Sequence, residues 1–320
     1  MAPRSWRDLP PAAGAFVMAT GVISIGLHRT GFEWPSRILL ALAGAVWALL
    51  AIDFAVRFLS QPTRWVSEAQ TPPGLSGIGA TTVLGTRLAL LGWHTGAWIA
   101  LGLAVVWWPV LLRAVMRHWN RRMPGAEFLV CVSTQGLAVL TATLAKIHDS
   151  RWLAMAAVAW FCLGLGLYVL ALTRFDFRQI WSGAGDQWVA TGALAISALA
   201  AAVTVDVPGW KPVAHGALIT AALTLLMLNW AVYSVLVVAE IANPRPGYDI
   251  RRWATVFPLG MTAVATLTTG VVADLTALRV VGRILLLVAV VAWLATLIGF
   301  LNRTTTRWHW QQPRKSPSGT

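Results

Sequence analysis

The sequence predicts an all-α membrane protein in which ten transmembrane helices form five helical hairpins. Of its 320 residues, 57% are hydrophobic and only 12% are charged, whereas about 25% of residues are charged in a soluble domain. Apolar runs long enough to cross a hydrocarbon core of about 30 Å recur along the whole chain. Short loops that contain proline and glycine separate these runs. A soluble globular fold is therefore excluded.

The ten predicted spans account for nearly the whole chain. They lie at residues 11–28, 35–57, 75–93, 96–115, 126–145, 152–172, 187–204, 212–239, 253–273 and 279–301. We expect residues 1–302 to form a single transmembrane domain. The polar and basic segment 303–320 is predicted to be a disordered cytoplasmic tail.

The distribution of lysine and arginine predicts the orientation. Of the 25 basic residues, seventeen fall on the side of the N-terminus, seven on the opposite side, and Arg87 lies inside the third span. Under the positive-inside rule both termini are cytoplasmic, which an even number of spans also requires. We attribute the net charge of +13 to this loop bias and not to nucleic-acid binding. The 19 tryptophans fit interfacial belts in contact with membrane lipid.

The odd-numbered and even-numbered spans differ in chemistry. Glycine, alanine, serine and threonine make up about half of the odd spans and about a third of the even ones, and such small residues let helix backbones approach closely. This contrast predicts an inner ring of five odd helices around a pore and an outer ring of five even helices. The alternative is a compact bundle without a lumen.

Each odd span also places a glycine near a small hydroxyl side chain. If these residues face one axis, they leave a narrow tube with few fixed charges. The predicted pore-lining residues are Thr20, Gly21, Gly85, Thr86, Gly136, Thr191, Gly192 and Gly260.

The stretch from residue 253 to residue 262 opens the ninth span. Phe257 precedes Pro258, which removes a backbone donor and interrupts the helical hydrogen bonds. Gly260 leaves a gap on one face of the helix. A large ring beside such a gap is a candidate pore plug. The alternative, an ordinary core or lipid-facing aromatic residue, is favoured by these ten residues alone.

Arg87 is the one basic residue well inside a span. A charge within the membrane is costly and normally faces a partner or a cavity. Arg87 is therefore predicted either to attract anions to the outer part of the pore or to extend its side chain to the membrane surface. Asp53 precedes Arg57 by four residues, which predicts an ion pair. Glu240 is expected to pair with Arg251 or Arg252.

The chain contains no recognisable catalytic or cofactor-binding motif. Cys131 and Cys162 lack metal-binding spacing and suggest no disulfide framework. Gly-rich phosphate loops, zinc-protease motifs and nucleophile elbows do not occur. We therefore expect no enzymatic activity, no cofactor and no metal site.

Three motifs carry a resemblance to a known family. They are residues 18–26, the sequence Ser133-Thr134-Gln135, and residues 253–260 with the Phe-Pro pair, which is the specific part. Over roughly residues 8–302 the chain resembles the tellurite-resistance/dicarboxylate transporter family, which includes a bacterial tellurite-resistance channel and the plant slow anion channels. The resemblance implies a pore within each protomer, lined by the odd helices, and usually a homotrimer. It also implies that Phe257 occludes the pore.

The expected function is an anion channel of the bacterial inner membrane. The alternative is a secondary transporter that exports tellurite or sulfite, or exchanges C4-dicarboxylates with protons, as the resemblance allows. A proton-coupled transporter would need a titratable residue in the lumen, and apart from Arg87 and the terminal residue Asp274 none is evident on the odd helices. Chloride, nitrate, sulfite, malate and tellurite all fit a narrow, positive pore, so the anion itself stays open.

Overall fold

The computed structural model describes residues 13–245 and 247–310, and this part of the chain is helical, with one isolated bridge between Met123 and Phe175. Its helices are α1 (Gly14–Arg29), α2 (Glu33–Ser60), α3 (Pro62–Ala69), α4 (Ser76–Leu90), α5 (His94–Met116), α6 (Leu129–Ile147), α7 (Arg151–Leu172), α8 (Gln179–Ser182), α9 (Trp188–Val205), α10 (Pro212–Ala242), α11 (Arg252–Val272) and α12 (Thr276–Trp310). Short 3₁₀ turns, Pro72–Leu75 and Gly125–Phe128, lead into α4 and α6.

Within the described residues, eight helices are long and apolar enough to cross a membrane, namely α2, α5, α6, α7, α9, α10, α11 and α12. The chain is thus an all-helical, multi-pass membrane protein. Helices α1 and α4, with 16 and 15 residues, are shorter than the roughly 20 residues that a typical span requires. They coincide with the first and third of the ten predicted spans.

Five helices form the interior of the molecule. Contacts between neighbours run from α1 to α4, α6, α9 and α11, and return from α11 to α1, so these helices enclose a common axis. In α6, α9 and α11, 78–100% of the most apolar stretch is buried, against 11–33% in α2, α5, α7, α10 and α12. The helices with the higher content of small residues are therefore the buried ones, as close backbone packing requires.

Tryptophan side chains join the outer helices to the inner ones. Four indole N–H groups donate to threonine hydroxyls on the next inner helix: Trp47 to Thr81 at 2.9 Å, Trp108 to Thr134 at 2.9 Å, Trp230 to Thr266 at 3.2 Å, and Trp293 to Thr20 at 2.9 Å. A buried indole needs such an acceptor because the hydrocarbon core offers no water. The bond from Trp293 to Thr20 connects the last helix, α12, to the first, α1.

The predicted ion pair between Asp53 and Arg57 is present, with Nη2 of Arg57 2.7 Å from Oδ2 of Asp53. Arg57 also pairs with Glu68 of α3, a short helix that the sequence did not predict. Such a pair satisfies two charges that are otherwise costly beside a membrane.

Glu240 pairs with one of its two predicted partners, Arg252, at 3.2 Å, and also with Arg245. Arg251 instead pairs with Asp249 at 3.1 Å, and this hydrogen-bonded contact lowers the pKa of the Asp249 carboxyl. The two basic residues expected to compete for Glu240 therefore have different partners, because Asp249 lies only two residues before Arg251.

Helix α12 continues to Trp310, so it includes residues 303–310, the first part of the segment predicted as the cytoplasmic tail. Extending an existing helix costs little, since each added residue gains a hydrogen bond without a new nucleus. Nη1 of Arg303 also donates to the carbonyl of Tyr248 at 2.6 Å. The remaining tail residues, 311–320, lie outside the described part, as do residues 1–12.

Candidate pore

A small cavity lies on the axis of the inner ring. All five inner helices contribute to its lining: Val22 and Ile25 from α1, Thr82, Val83 and Thr86 from α4, Gly136 and Val139 from α6, Ile196 and Leu199 from α9, and Met261 and Val264 from α11. Its volume is about 10 Å³, close to the space that one water molecule needs. The lumen is therefore narrow at this level.

The lining of this cavity offers few polar groups. The hydroxyl of Thr82 donates to the carbonyl of Gly79 at 3.0 Å, and that of Thr86 to the carbonyl of Thr82 at 2.9 Å. Both hydrogens are thus used within α4. None of the lining residues is ionisable. An anion that enters this region loses water without gaining a strong fixed site.

Phe257 lies on the face of α11 that lines the cavity. It precedes Met261 by four residues, which places the two side chains on one face of the helix, one turn apart. Its side chain is only 1% exposed. It therefore lies one turn from the cavity, on the side of the N-terminal end of α11.

The ring of Phe257 occupies space left by a missing side chain on α9. A Cβ atom added to Gly192 would lie 3.0 Å from Cε1 of Phe257 and 3.0 Å from Cγ of Pro258. Gly192 precedes the cavity residue Ile196 by four residues, so it too lies on the lining face one turn away. The structure thus places the ring of Phe257 against Gly192, one of the predicted pore-lining glycines.

A buried amide links the two helices that hold this pair. Asn229 of α10 is 0% exposed. The hydroxyl of Thr191 donates to Oδ1 of Asn229 at 2.5 Å, and Nδ2 of Asn229 donates to the hydroxyl of Thr262 at 3.2 Å. One side chain therefore joins α9, beside Gly192, to α11, just after Phe257 and Pro258. Our sequence reasoning missed Asn229, although an amide in the middle of an apolar span is a visible signal.

Of the eight residues predicted to line a pore, Thr86 and Gly136 line this cavity. The hydroxyls of Thr20 and Thr191 instead bond to the outer-helix residues Trp293 and Asn229. A threonine hydroxyl in an apolar helix satisfies the nearest buried polar partner, and here that partner lies on the outer side of the ring.

The remaining predicted glycines serve helix packing. A Cβ atom at Gly21 would lie 2.7 Å from Cγ1 of Val83 on α4, and one at Gly260 would lie 3.2 Å from Cγ1 of Val22 on α1. At Gly85 it would lie 2.8 Å from Leu140 of α6. A side chain at any of these three positions would overlap a side chain of a neighbouring inner helix, and their exposure to the lumen stays a prediction.

Arg87 is fully buried between α4 and α2, and its side chain does not reach the surface. Its Nη2 donates to Oε1 of Glu33 at 3.1 Å and to the hydroxyl of Ser36 at 3.0 Å. Among the described residues, its Nη1 has no hydrogen-bond partner. Arg87 is not one of the cavity-lining residues, so its role in attracting anions stays a prediction.

Charged residues lie at the C-terminal ends of the inner helices. Lys146 at the end of α6 pairs with Asp206, which follows α9. Arg29 at the end of α1 is close enough to Asp206 for their charges to interact. Asp149 follows α6 and Asp274 follows α11, so the C-terminal ends of the inner helices carry charges of both signs.

A closed ring of buried helices in a multi-pass membrane protein, with an apolar cavity on its axis, is the architecture of a channel or transporter. The comparison with protein families agrees. The family model described as voltage-dependent anion channel matches residues 8–301, and the chain belongs to this family, the tellurite-resistance/dicarboxylate transporter family. No curated protein matches the chain.

Proposed function

We propose that the protein is an anion channel in which small anions pass along the axis of the inner ring and Phe257 closes the lumen. The observation that carries this proposal is the position of Phe257. It lies on the cavity-lining face of α11, one turn from Met261, and its ring fills the space beside Gly192. The family of anion channels and transporters to which the chain belongs supports the class of substrate.

In this proposal ten helices cross the membrane as five hairpins, namely the eight long apolar helices together with α1 and α4. The two shorter ones, α1 and α4, span about 24 and 22 Å by their residue counts, and the turn Pro72–Leu75 directly precedes α4. Both termini lie in the cytoplasm of a bacterial cell, below the inner membrane, as the excess of basic residues on that side favours. The chain assembles as a homotrimer with a pore in each protomer, and the outer helices contact lipid.

The cavity favours a channel over a proton-coupled exchanger of tellurite, sulfite or dicarboxylates. Coupling to protons requires a titratable group on the transport path, and no residue lining this cavity titrates. Selectivity then comes from the width of the lumen and from the dipoles of the inner helices, whose N-terminal ends favour an anion.

Anion current through purified protein in planar bilayers or liposomes tests the proposal. Wild-type protein should conduct little at rest, and Phe257→Ala should conduct strongly with a reversal potential that follows the anion gradient. Phe161→Ala is the matched control, because Phe161 is a buried phenylalanine of the outer helix α7. It removes the same atoms from an outer helix that does not line the cavity and should leave the current unchanged.

Two results would overturn the proposal. The first is equal current from wild type and Phe257→Ala when both proteins are folded and have the same oligomeric size. The second is a current whose reversal potential follows the cation gradient. A flux assay with and without a proton gradient separates a channel from an exchanger, since a channel needs no proton gradient.

A further inference from the structure

The residues one turn from the cavity form a second layer across the lumen. On each inner helix, the position four residues before a cavity-lining residue lies on the same face, nearer the N-terminal end. Five of these positions, one on each helix, form the layer: Met18 before Val22, Gly79 before Val83, Val132 before Gly136, Gly192 before Ile196, and Phe257 before Met261. The layer therefore contains two glycines and two long side chains besides Val132.

Contacts within this layer pair each glycine with one long side chain. A Cβ atom added to Gly79 would lie 2.5 Å from Sδ of Met18, and 3.8 Å from Cγ1 of Val132. Met18 of α1 thus fills the space beside Gly79 of α4 in the same way that Phe257 of α11 fills the space beside Gly192 of α9. Met18 is also 1% exposed.

From this pairing we infer that Met18 is a second occluding residue of the pore. The inference rests on the proposed channel function and deepens it. A single phenyl ring leaves the side of the lumen next to α4 to be closed by another group, and the thioether of Met18 occupies that side. An unbranched methionine with three rotatable bonds fills an irregular gap and changes rotamer easily. Met18 then sets the conductance that remains when Phe257 is removed.

The experiment compares the anion current of wild type, Met18→Ala, Phe257→Ala and the double variant Met18→Ala/Phe257→Ala. The double variant should conduct severalfold more than Phe257→Ala, because both plugs are absent. Ile23→Ala in the Phe257→Ala background is the matched control. Ile23 is buried on the same helix, but it packs against Gly260 of α11 and does not line the cavity.

A labelling measurement gives an independent readout. In the Phe257→Ala background, Met18→Cys should make the current sensitive to block by a negatively charged methanethiosulfonate reagent. The parent Phe257→Ala protein carries the native Cys131 and Cys162 and should not be blocked.

The two proposals fail in different ways. If Phe257→Ala conducts but the double variant conducts no more, and the cysteine at position 18 is not labelled, Met18 is a packing residue and the channel proposal stands. If neither Phe257→Ala nor the double variant conducts while both are folded, the channel proposal itself is wrong. An equal gain from the Ile23→Ala control would show that general loosening of α1 explains the effect, which also overturns the inference.

Discussion

The ring of Phe257 lies directly against the α-carbon of Gly192, so closely that a methyl group at Gly192 would be 3.0 Å from Cε1 and 3.4 Å from Cδ1 of the ring. The pair joins α11 to α9 one helical turn from the cavity. Because of this contact, a larger side chain at position 192 would not fit while the ring keeps its present position.

Gly192→Ala should destabilise the protein or displace the ring of Phe257, because contacts of 3.0 Å are shorter than normal carbon–carbon separations. We expect a lower midpoint of thermal unfolding in detergent, by the equivalent of about 1–3 kcal/mol for an overpacked site, or a higher resting current. In the Phe257→Ala background the cost should be smaller. Gly216→Ala, on an outer helix with open space around the glycine, is the control. An equal cost in both backgrounds would contradict the pairing.

Asn229→Leu should loosen the attachment of α9 to α11. The leucine keeps the approximate volume but removes the hydrogen bonds to Thr191 and Thr262. Each interhelical hydrogen bond in a membrane contributes about 0.6 kcal/mol on average, and at most about 1.7 kcal/mol. We expect a loss of roughly 1–3 kcal/mol of stability and a raised resting current, because the helix that carries Phe257 is held less firmly.

Variants of Thr191, whose hydroxyl donates to Asn229, supply the control for Asn229→Leu. Thr191→Ser keeps the hydrogen bond and should behave like wild type, whereas Thr191→Val should reproduce part of the Asn229→Leu effect. A resting current that is unchanged in Asn229→Leu would show that Asn229 stabilises the fold without holding the gate closed.

The bond from Trp293 to Thr20 should contribute to closure of the helix ring. Trp293→Phe and Thr20→Val each remove it, and the double variant should cost less than the sum of the two single costs. The expected coupling is about 0.6–1.7 kcal/mol, measured by a double-mutant cycle on unfolding in detergent. Strictly additive costs would mean that the bond contributes nothing measurable.

Arg87→Gln should mainly affect stability. Removing the guanidinium leaves the carboxylate of Glu33 with only His28 and Arg37 as partners on α1 and α2, so the contact between α4 and α2 is weakened. Glu33→Gln tests the other half of the pair. In the conducting Phe257→Ala background, Arg87→Gln should leave the reversal potential in an asymmetric salt gradient close to that of its parent, since Arg87 is buried against Glu33 and does not line the cavity. A clear loss of anion selectivity would instead support the predicted anion-attracting role.

Several features of the protein followed from its sequence because they depend on local chemistry. Apolar runs separated by turn residues predicted the ten longer helices to within a few residues, except at the C-terminal end of α12, and the ion pair of Asp53 with Arg57 followed from their spacing along one helix. The enrichment of small residues predicted which helices are buried. The Phe-Pro pair drew attention to Phe257, although the residues alone favoured an ordinary packing role.

Only the tertiary structure decides which neighbouring helix each side chain contacts. A glycine or threonine in an inner helix has several neighbouring surfaces to meet, and the sequence does not say which one it faces. Gly192 meets the ring of Phe257, whereas Gly21 meets Val83 of the adjacent helix. Thr20 and Thr191 bond outward because the buried indole and amide of the outer helices need partners there. Asn229 and Met18 acquire their significance in the same way, because long-range packing places each of them beside residues that are distant in the chain.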